Sequence, residues 1–254
     1  MSANFPIYPA HTAVLSMDCQ SGIVSVYLKD DKDAFLDRIS SVLNHARVVG
    51  MRVIHFQVGF RPGMPEVSSR NVLFGAIKSS AQHQKLFEGP LGAISPAIAP
   101  KEGEIVVTKH RVSAFAGTDL AMILRANDID TLVLLGIATS GVVLSTLVEA
   151  ADADFRLAVI KDCCADLDSS LHDCLINKFF PSRAAVLSAR EFVETPGSSG
   201  GFWVKWRCSA SALDILLFSY FQSRSESRTL VSNAREGARS LSFAISDNAL
   251  SISA

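Results

Sequence analysis

Residues 132–148 read LVLLGIATSGVVLSTLV, and no other stretch limits the fold as tightly. An uninterrupted apolar run at 132–135 stops at Gly136, a turn of small residues follows, and a helical pattern starts near Val142. A buried strand that enters a helix through such a turn sets the helix N-terminus at the C-terminal edge of a sheet. In open α/β sheets that edge is where ligands bind. The amides of the turn and the positive end of the helix dipole favour an anion or oxyanion there. A cysteine at the helix start would have its thiol pKa lowered by the dipole. Val142 stands at that position instead.

The rest of the chain repeats the same strand-then-helix rhythm. Residues 12–18 (TAVLSMD) read as a first buried strand ending in a carboxylate. Residues 32–49 are helical, because Phe35, Leu36, Ile39, Val42, Leu43 and Ala46 recur at three- and four-residue intervals and make one apolar face. Gly50 is a natural stop for that helix. Strands are expected at 51–58, 104–109, 131–135, 156–162 and 184–187. Helices are expected at 117–127, from 142 to about 154, and at 171–180. Residues 59–103 carry Pro62, Gly63, Pro65, Pro90 and Pro96 and read as a long irregular cover or a disordered loop. Alternating strands and helices predict an α/β fold, with a parallel sheet, right-handed crossovers and helices on both faces.

At about Thr195 the rhythm ends. PGSSGG opens a Ser-rich stretch that contains both tryptophans, Trp203 and Trp206. Two parts are therefore expected, a domain over 1–195 and a poorly ordered appendage over 196–254. Within the appendage, 213–221 is a short apolar patch and 223–239 alternates serine with charge.

Composition removes several classes of function. The net charge is −1, so nothing steers the whole chain toward nucleic acid or an anionic membrane. No apolar run approaches the roughly 18 residues of a membrane span. The opening MSANFPIYPAH has no basic, apolar leader pattern, and the five cysteines follow neither disulfide-scaffold nor zinc spacing, so a reduced, cytoplasmic chain is expected. The 136–141 turn lacks the Lys and Ser/Thr of a phosphate loop, and no Gly-x-Gly-x-x-Gly follows the first strand.

Two charges close hydrophobic strands, Asp18 and Lys109. In a parallel sheet both lie on the edge that carries the Gly136 turn. A carboxylate acting as general acid or base, an ammonium that tunes it or binds an anion, and amides that stabilise an oxyanion would meet in one pocket. A strand-end salt bridge fits the same pattern, and both readings stay open at this level.

From residue 11 to 195 the chain resembles the isochorismatase-like hydrolases, or cysteine hydrolase family. The matching segments are TAVLSMDCQ, with Asp18 and Gln20, KHRVSAFAGTDL, with Lys109, and GIATSGVVLSTLVEAADADFRLAVIKDCCAD. The resemblance implies a three-layer, Rossmann-like fold with a six-stranded, mainly parallel sheet, and a catalytic Asp, Lys and Cys. Matched to the family's Gly-x-x-Thr-x-x-Cys pattern from Gly136, Thr139 takes the threonine's place and Val142 the cysteine's. It also implies a non-proline cis peptide just before Thr139, and a homo-oligomer.

Valine forms no acyl-enzyme, so nicotinamidase-type amide hydrolysis is not supported. Isochorismatases offer a thiol-free route, in which the aspartate in Asp18's position protonates an enol ether and water attacks the cation. The expected activity is therefore hydrolysis of a small organic molecule, with Asp18 as general acid/base and Lys109 as its electrostatic partner. Thr139, Ser140 and Gly141 would form the anion-binding turn, and Ser113 and Phe115 would line the pocket. An inactive relative that only binds a small acid or amide, or serves as an oligomeric partner, is the alternative.

Cys163 and Cys164 follow the fifth strand without the marks of a nucleophile, Cys19 faces away from Asp18's side, and Cys174 is expected in the core. Phe60 and Arg61 open the long loop, with the arginine expected in solvent. The family's metal-binding Asp-x-His has no counterpart in QVGFRPG, and His55 reads as a core histidine, so neither metal nor cofactor is expected.

Overall fold

The computed structural model describes residues 2–194 and 202–207, the side chains of 2–6 and 202–207 excepted. All of these belong to one unit, Met1–Cys208; the second unit, Ser209–Ala254, lies outside the described residues, and with it the 213–221 and 223–239 segments.

In chain order the strands are β1 (Ser2–Ile7), β2 (Thr12–Met17), β3 (Arg52–Val58), β4 (Ile105–Lys109), β5 (Thr131–Ile137), β6 (Arg156–Ala165), β7 (Ala185–Leu187) and β8 (Phe202–Arg207). The α-helices are α1 (Ser21–Tyr27), α2 (Lys32–Val49), α3 (Val72–Lys78), α4 (Ala81–Gln84), α5 (Gly89–Gly92), α6 (Leu120–Ala126), α7 (Leu144–Asp152), α8 (Ser169–Cys174) and α9 (Ala189–Val193). Six strands form one sheet in the order β4-β3-β2-β5-β6-β7, and every pairing in it is parallel.

The period of two along the strands divides the core into two layers. Val14 on β2 and Val133 and Leu135 on β5 face a cluster with Phe35, Ile39 and Leu43 of α2 and Phe192 of α9. Ala13, Leu15 and Met17 on β2 and Leu132 and Leu134 on β5 face Leu120 and Leu124 of α6 and Leu147 of α7. Because both faces are covered, β2 and β5 are buried along their whole length. The expected three-layer α/β architecture is therefore present.

Helix α2 spans the expected residues and ends at Gly50, whose φ of 85° supplies the left-handed C-cap. Several elements depart from the sequence expectations, β1 and α9 among them, since neither is announced by the apolar pattern. Residues 59–103 are not structureless, because α3, α4, α5 and short 3₁₀ turns cross them. Helix α1, directly after Asp18, was not anticipated. Part of the expected appendage is ordered as β8, which pairs antiparallel with β1 in a separate two-stranded sheet.

Candidate active site

Parallel register gathers the charged strand ends. Met17, the last residue of β2, stands opposite Gly136 of β5, and Lys109 closes β4 opposite Val58 of β3. Gly136 is required here, since with φ at 139° a Cβ would lie 2.0 Å from the Met17 carbonyl oxygen. The Ile137–Ala138 peptide beyond it is cis, one bond earlier than the position before Thr139. Asp18 follows with φ of 56° and donates its amide to the Phe56 carbonyl. The left-handed backbone turns the chain sharply out of β2 and into α1.

Asp18 and Lys109 meet with a separation of 2.7 Å between Oδ2 and Nζ, and both are buried. Lys109 also donates to the carbonyls of Arg111 and Val112, each at 3.0 Å. An ammonium has three donors, so Lys109 is fully committed. Asp18 Oδ1, in contrast, has no hydrogen-bond partner. Burial pushes the Asp18 carboxyl up to about 6, against the charge and hydrogen bond of Lys109, which pull it down.

The pair lies in the wall of a cavity of about 180 Å³. Val142 and Gly141 line the same cavity, so Val142 does share it with Asp18 and Lys109. The remaining wall is mostly apolar; Val58, Val112, Ile137 and Ala138 contribute to it, and the rest comes from two segments. Helix α1 contributes Ile23, Val26 and Tyr27, and the 59–103 cover contributes Leu73, Phe74, Ile77, Leu86 and Phe87. Phe60 packs edge-on against Phe74 and Phe87 and stiffens the cover. Arg61 projects into solvent, as expected, within 3.9 Å of Glu66. Gln20 fastens the cover to the frame. Its amide donates to the carbonyls of Val58 and Gly92 and accepts from the Val58 amide.

Other predicted site residues lie away from the cavity. The Thr139 hydroxyl is buried and engages His172 Nδ1 at 2.8 Å. Ser140 donates both its amide and its hydroxyl to Asp166 Oδ2. The amides of Gly141 and Val143 go to the Ala138 carbonyl. The turn thus satisfies two of its amides internally, and the amide and hydroxyl of Ser140 are taken up by Asp166. Ser113 donates to Glu149, and Phe115 packs against Phe155.

No cysteine lines the cavity among the described residues. Cys19, Cys163 and Cys164 are buried as free thiols, and burial raises the pKa of all three, that of Cys164 to about 12. Cys174 is exposed rather than in the core, because helix α8 turns it outward. His55 is fully buried in β3, pairs with Glu104 at 3.2 Å, and has its pKa lowered by burial. Among the described residues no group of His, Cys, Asp and Glu is arranged to hold a metal, and no helix is long and apolar enough to cross a membrane.

The apolar walls from α1 and the cover are not legible in the sequence. The Pro- and Gly-broken spacing of 59–103 hides short helices, and SGIVSVY is rich in β-branched residues. The apolar residues of the cover were the available signal.

Comparison with known proteins agrees with this frame. The isochorismatase domain model matches residues 12–191. Maleamate amidohydrolase of Pseudomonas putida is 33% identical over 141 residues, covering 55% of this chain and 64% of that enzyme. Ureidoacrylate amidohydrolase of Methylorubrum extorquens is 34% identical over 137 residues, covering 50% of this chain and 55% of that enzyme. The matches thus span 64% and 55% of the length of these two relatives. Among solved structures, an isochorismatase family protein of Burkholderia thailandensis superposes with a TM-score of 0.64 at 26% identity, over 75% of this chain and 99% of that one.

Proposed function

Since the chain belongs to the isochorismatase family of hydrolases, we propose that it hydrolyses a small organic substrate with Asp18 as general acid/base and no cysteine nucleophile. The observation that carries this reading is the divided state of the Asp18 carboxyl. Oδ2 is held by Lys109, while Oδ1 has no partner in a group that lines the cavity. With its pKa near 6, the carboxyl populates both protonation states around that pH.

For an enol ether, the protonated Asp18 delivers its proton to the carbon, and water adds to the resulting oxocarbenium ion. The hemiacetal then collapses to a carbonyl and an alcohol, and the carboxylate recovers the proton released. For a small amide, the class suggested by the names of the relatives, the ionised Asp18 instead removes a proton from the attacking water and returns it to the nitrogen as the C–N bond of the tetrahedral intermediate breaks, releasing the acid and the amine. Lys109 holds Asp18 in place and offsets its charge when it ionises. A cytoplasmic homo-oligomer belongs to the same reading, and sedimentation velocity tests the assembly.

The test is turnover of a panel of enol ethers and small amides by the wild type and Asp18→Asn. The variant is expected to lose about 10²–10⁴-fold in rate, the range for a positioned acid or base. Equal rates for the two proteins would remove Asp18 from the chemistry. A second reading, a binding protein without catalysis, is favoured by Val142 where the family's thiol belongs and by a turn whose donors already serve Asp166. It requires ligand binding with no turnover of any panel member, and one Asp18-dependent substrate ends it.

A further inference from the structure

The cavity wall contains charges, yet among the described residues its one cation is not free to meet a ligand. Lys109 directs its three donors to Asp18 and to the carbonyls of Arg111 and Val112. Apart from Asp18, Lys109 and Tyr27, every side chain in the wall is apolar, including Ile23, Phe74, Ile77, Leu86, Phe87 and Val112. Arg111, next to Val112 in the chain, and Arg61, in the cover, are engaged elsewhere. Arg111 donates to the carbonyls of His110 and Glu66, and Arg61 points to solvent beside Glu66.

An entering carboxylate would give up its water, find no donor cation, and lie beside the Asp18 carboxyl. A neutral molecule gives up less and gains apolar contact along the whole wall. The volume, about 180 Å³, is of the order of a cavity that accepts benzene.

We propose that the cavity selects an uncharged, compact and largely apolar substrate carrying one hydrogen-bonding group that meets Asp18 Oδ1. The word substrate rests on the hydrolase reading above; the selection against anions rests on the wall alone. The partly protonated Asp18 carboxyl also suits a neutral partner, since it can donate to a carbonyl or ether oxygen or accept from an amide.

Calorimetric titration with benzamide and benzoate at pH 7.5, two probes of nearly equal shape, tests the proposal. Benzamide is expected to bind at least about tenfold more tightly, a difference of about 1.4 kcal/mol. Equal affinities, tighter benzoate, or no binding of benzamide overturns it. Ile77→Lys places a cation in the half-buried wall and is expected to raise benzoate affinity at least about tenfold. Leu73→Lys at the exposed rim is its counterpart if the first variant does not fold. An unchanged preference in the folded variant also overturns the proposal. Benzamide binding without turnover of any panel substrate defeats the hydrolase reading alone. Asp18-dependent turnover of an anionic substrate in preference to its neutral analogue defeats the selection alone.

Discussion

At Asp18, burial and the Lys109 ammonium pull the carboxyl in opposite directions, and the net effect is a pKa of about 6. If Asp18 acts as a proton donor, activity is full below that value and falls as pH rises through it. The kcat/KM profile of an enol-ether substrate checks this, and a flat profile from pH 5 to 8 would exclude the acid role. The raised value also means that the folded chain binds more protons than the unfolded one between about 4 and 6, so this carboxyl lowers stability as pH rises through that window. Glu104 behaves in the opposite way. Burial alone would raise it, but hydrogen bonds from Arg47 and the Lys101 amide, with the charges of Arg47 and His55, hold it at about 2. Its contribution to stability is present above its unfolded value near 4.5 and is lost as pH falls toward 2. Glu104→Gln is therefore expected to flatten the acid limb of a stability-versus-pH curve measured by urea unfolding. Asn is the appropriate replacement at Asp18, because Asn and Asp tolerate the left-handed backbone there better than other side chains.

Among the elements, Gln20 is one of the groups that tie the cover to the sheet. Removing the Gln20 side chain amide strands the amide and carbonyl of Val58 and the carbonyl of Gly92. Each buried unsatisfied group costs about 1–3 kcal/mol. Gln20→Leu is expected to lower Tm and to speed proteolysis within 59–103, as read by calorimetry and limited digestion. At Gly136 an added methyl meets a neighbouring strand's backbone, not a mobile side chain. Gly136→Ala is expected to destabilise by more than about 3 kcal/mol, or to leave no soluble protein.

The six strands of the parallel sheet and α2 are readable in the sequence from their apolar pattern, whereas β1 and β8 are not. Asp18 and Lys109 were readable because a charge at the end of a buried strand is rare. The partners of Thr139, Ser140 and Ser113 were not, since each lies 26 to 36 residues further along the chain, in His172, Asp166 and Glu149. Hydroxyl residues beside a turn do not reveal which way they bond. The pairing of β1 with β8 joins residues near opposite ends of the described chain, and no local pattern encodes it.

Across the whole molecule, both packed layers are drawn from residues between Ile7 and Phe192. A chain ending at Thr195 loses β8 and leaves β1 unpaired, but keeps the six-stranded sheet. It is expected to unfold in a single calorimetric transition at a reduced Tm, and an insoluble product would assign a structural role to later residues. The placement of the cover has a wider consequence. It is one contiguous insertion between β3 and β4, strands that pair directly with each other. The Asp18 carboxyl follows the end of β2 and Lys109 closes β4, while five wall residues belong to this insertion. On the proposed reading, the acid and this part of the ligand-facing wall are therefore written in separable lengths of chain. Exchanging residues 60–103 for a different loop would retarget the pocket while leaving its acid in place, which makes this fold a natural host for interchangeable covers.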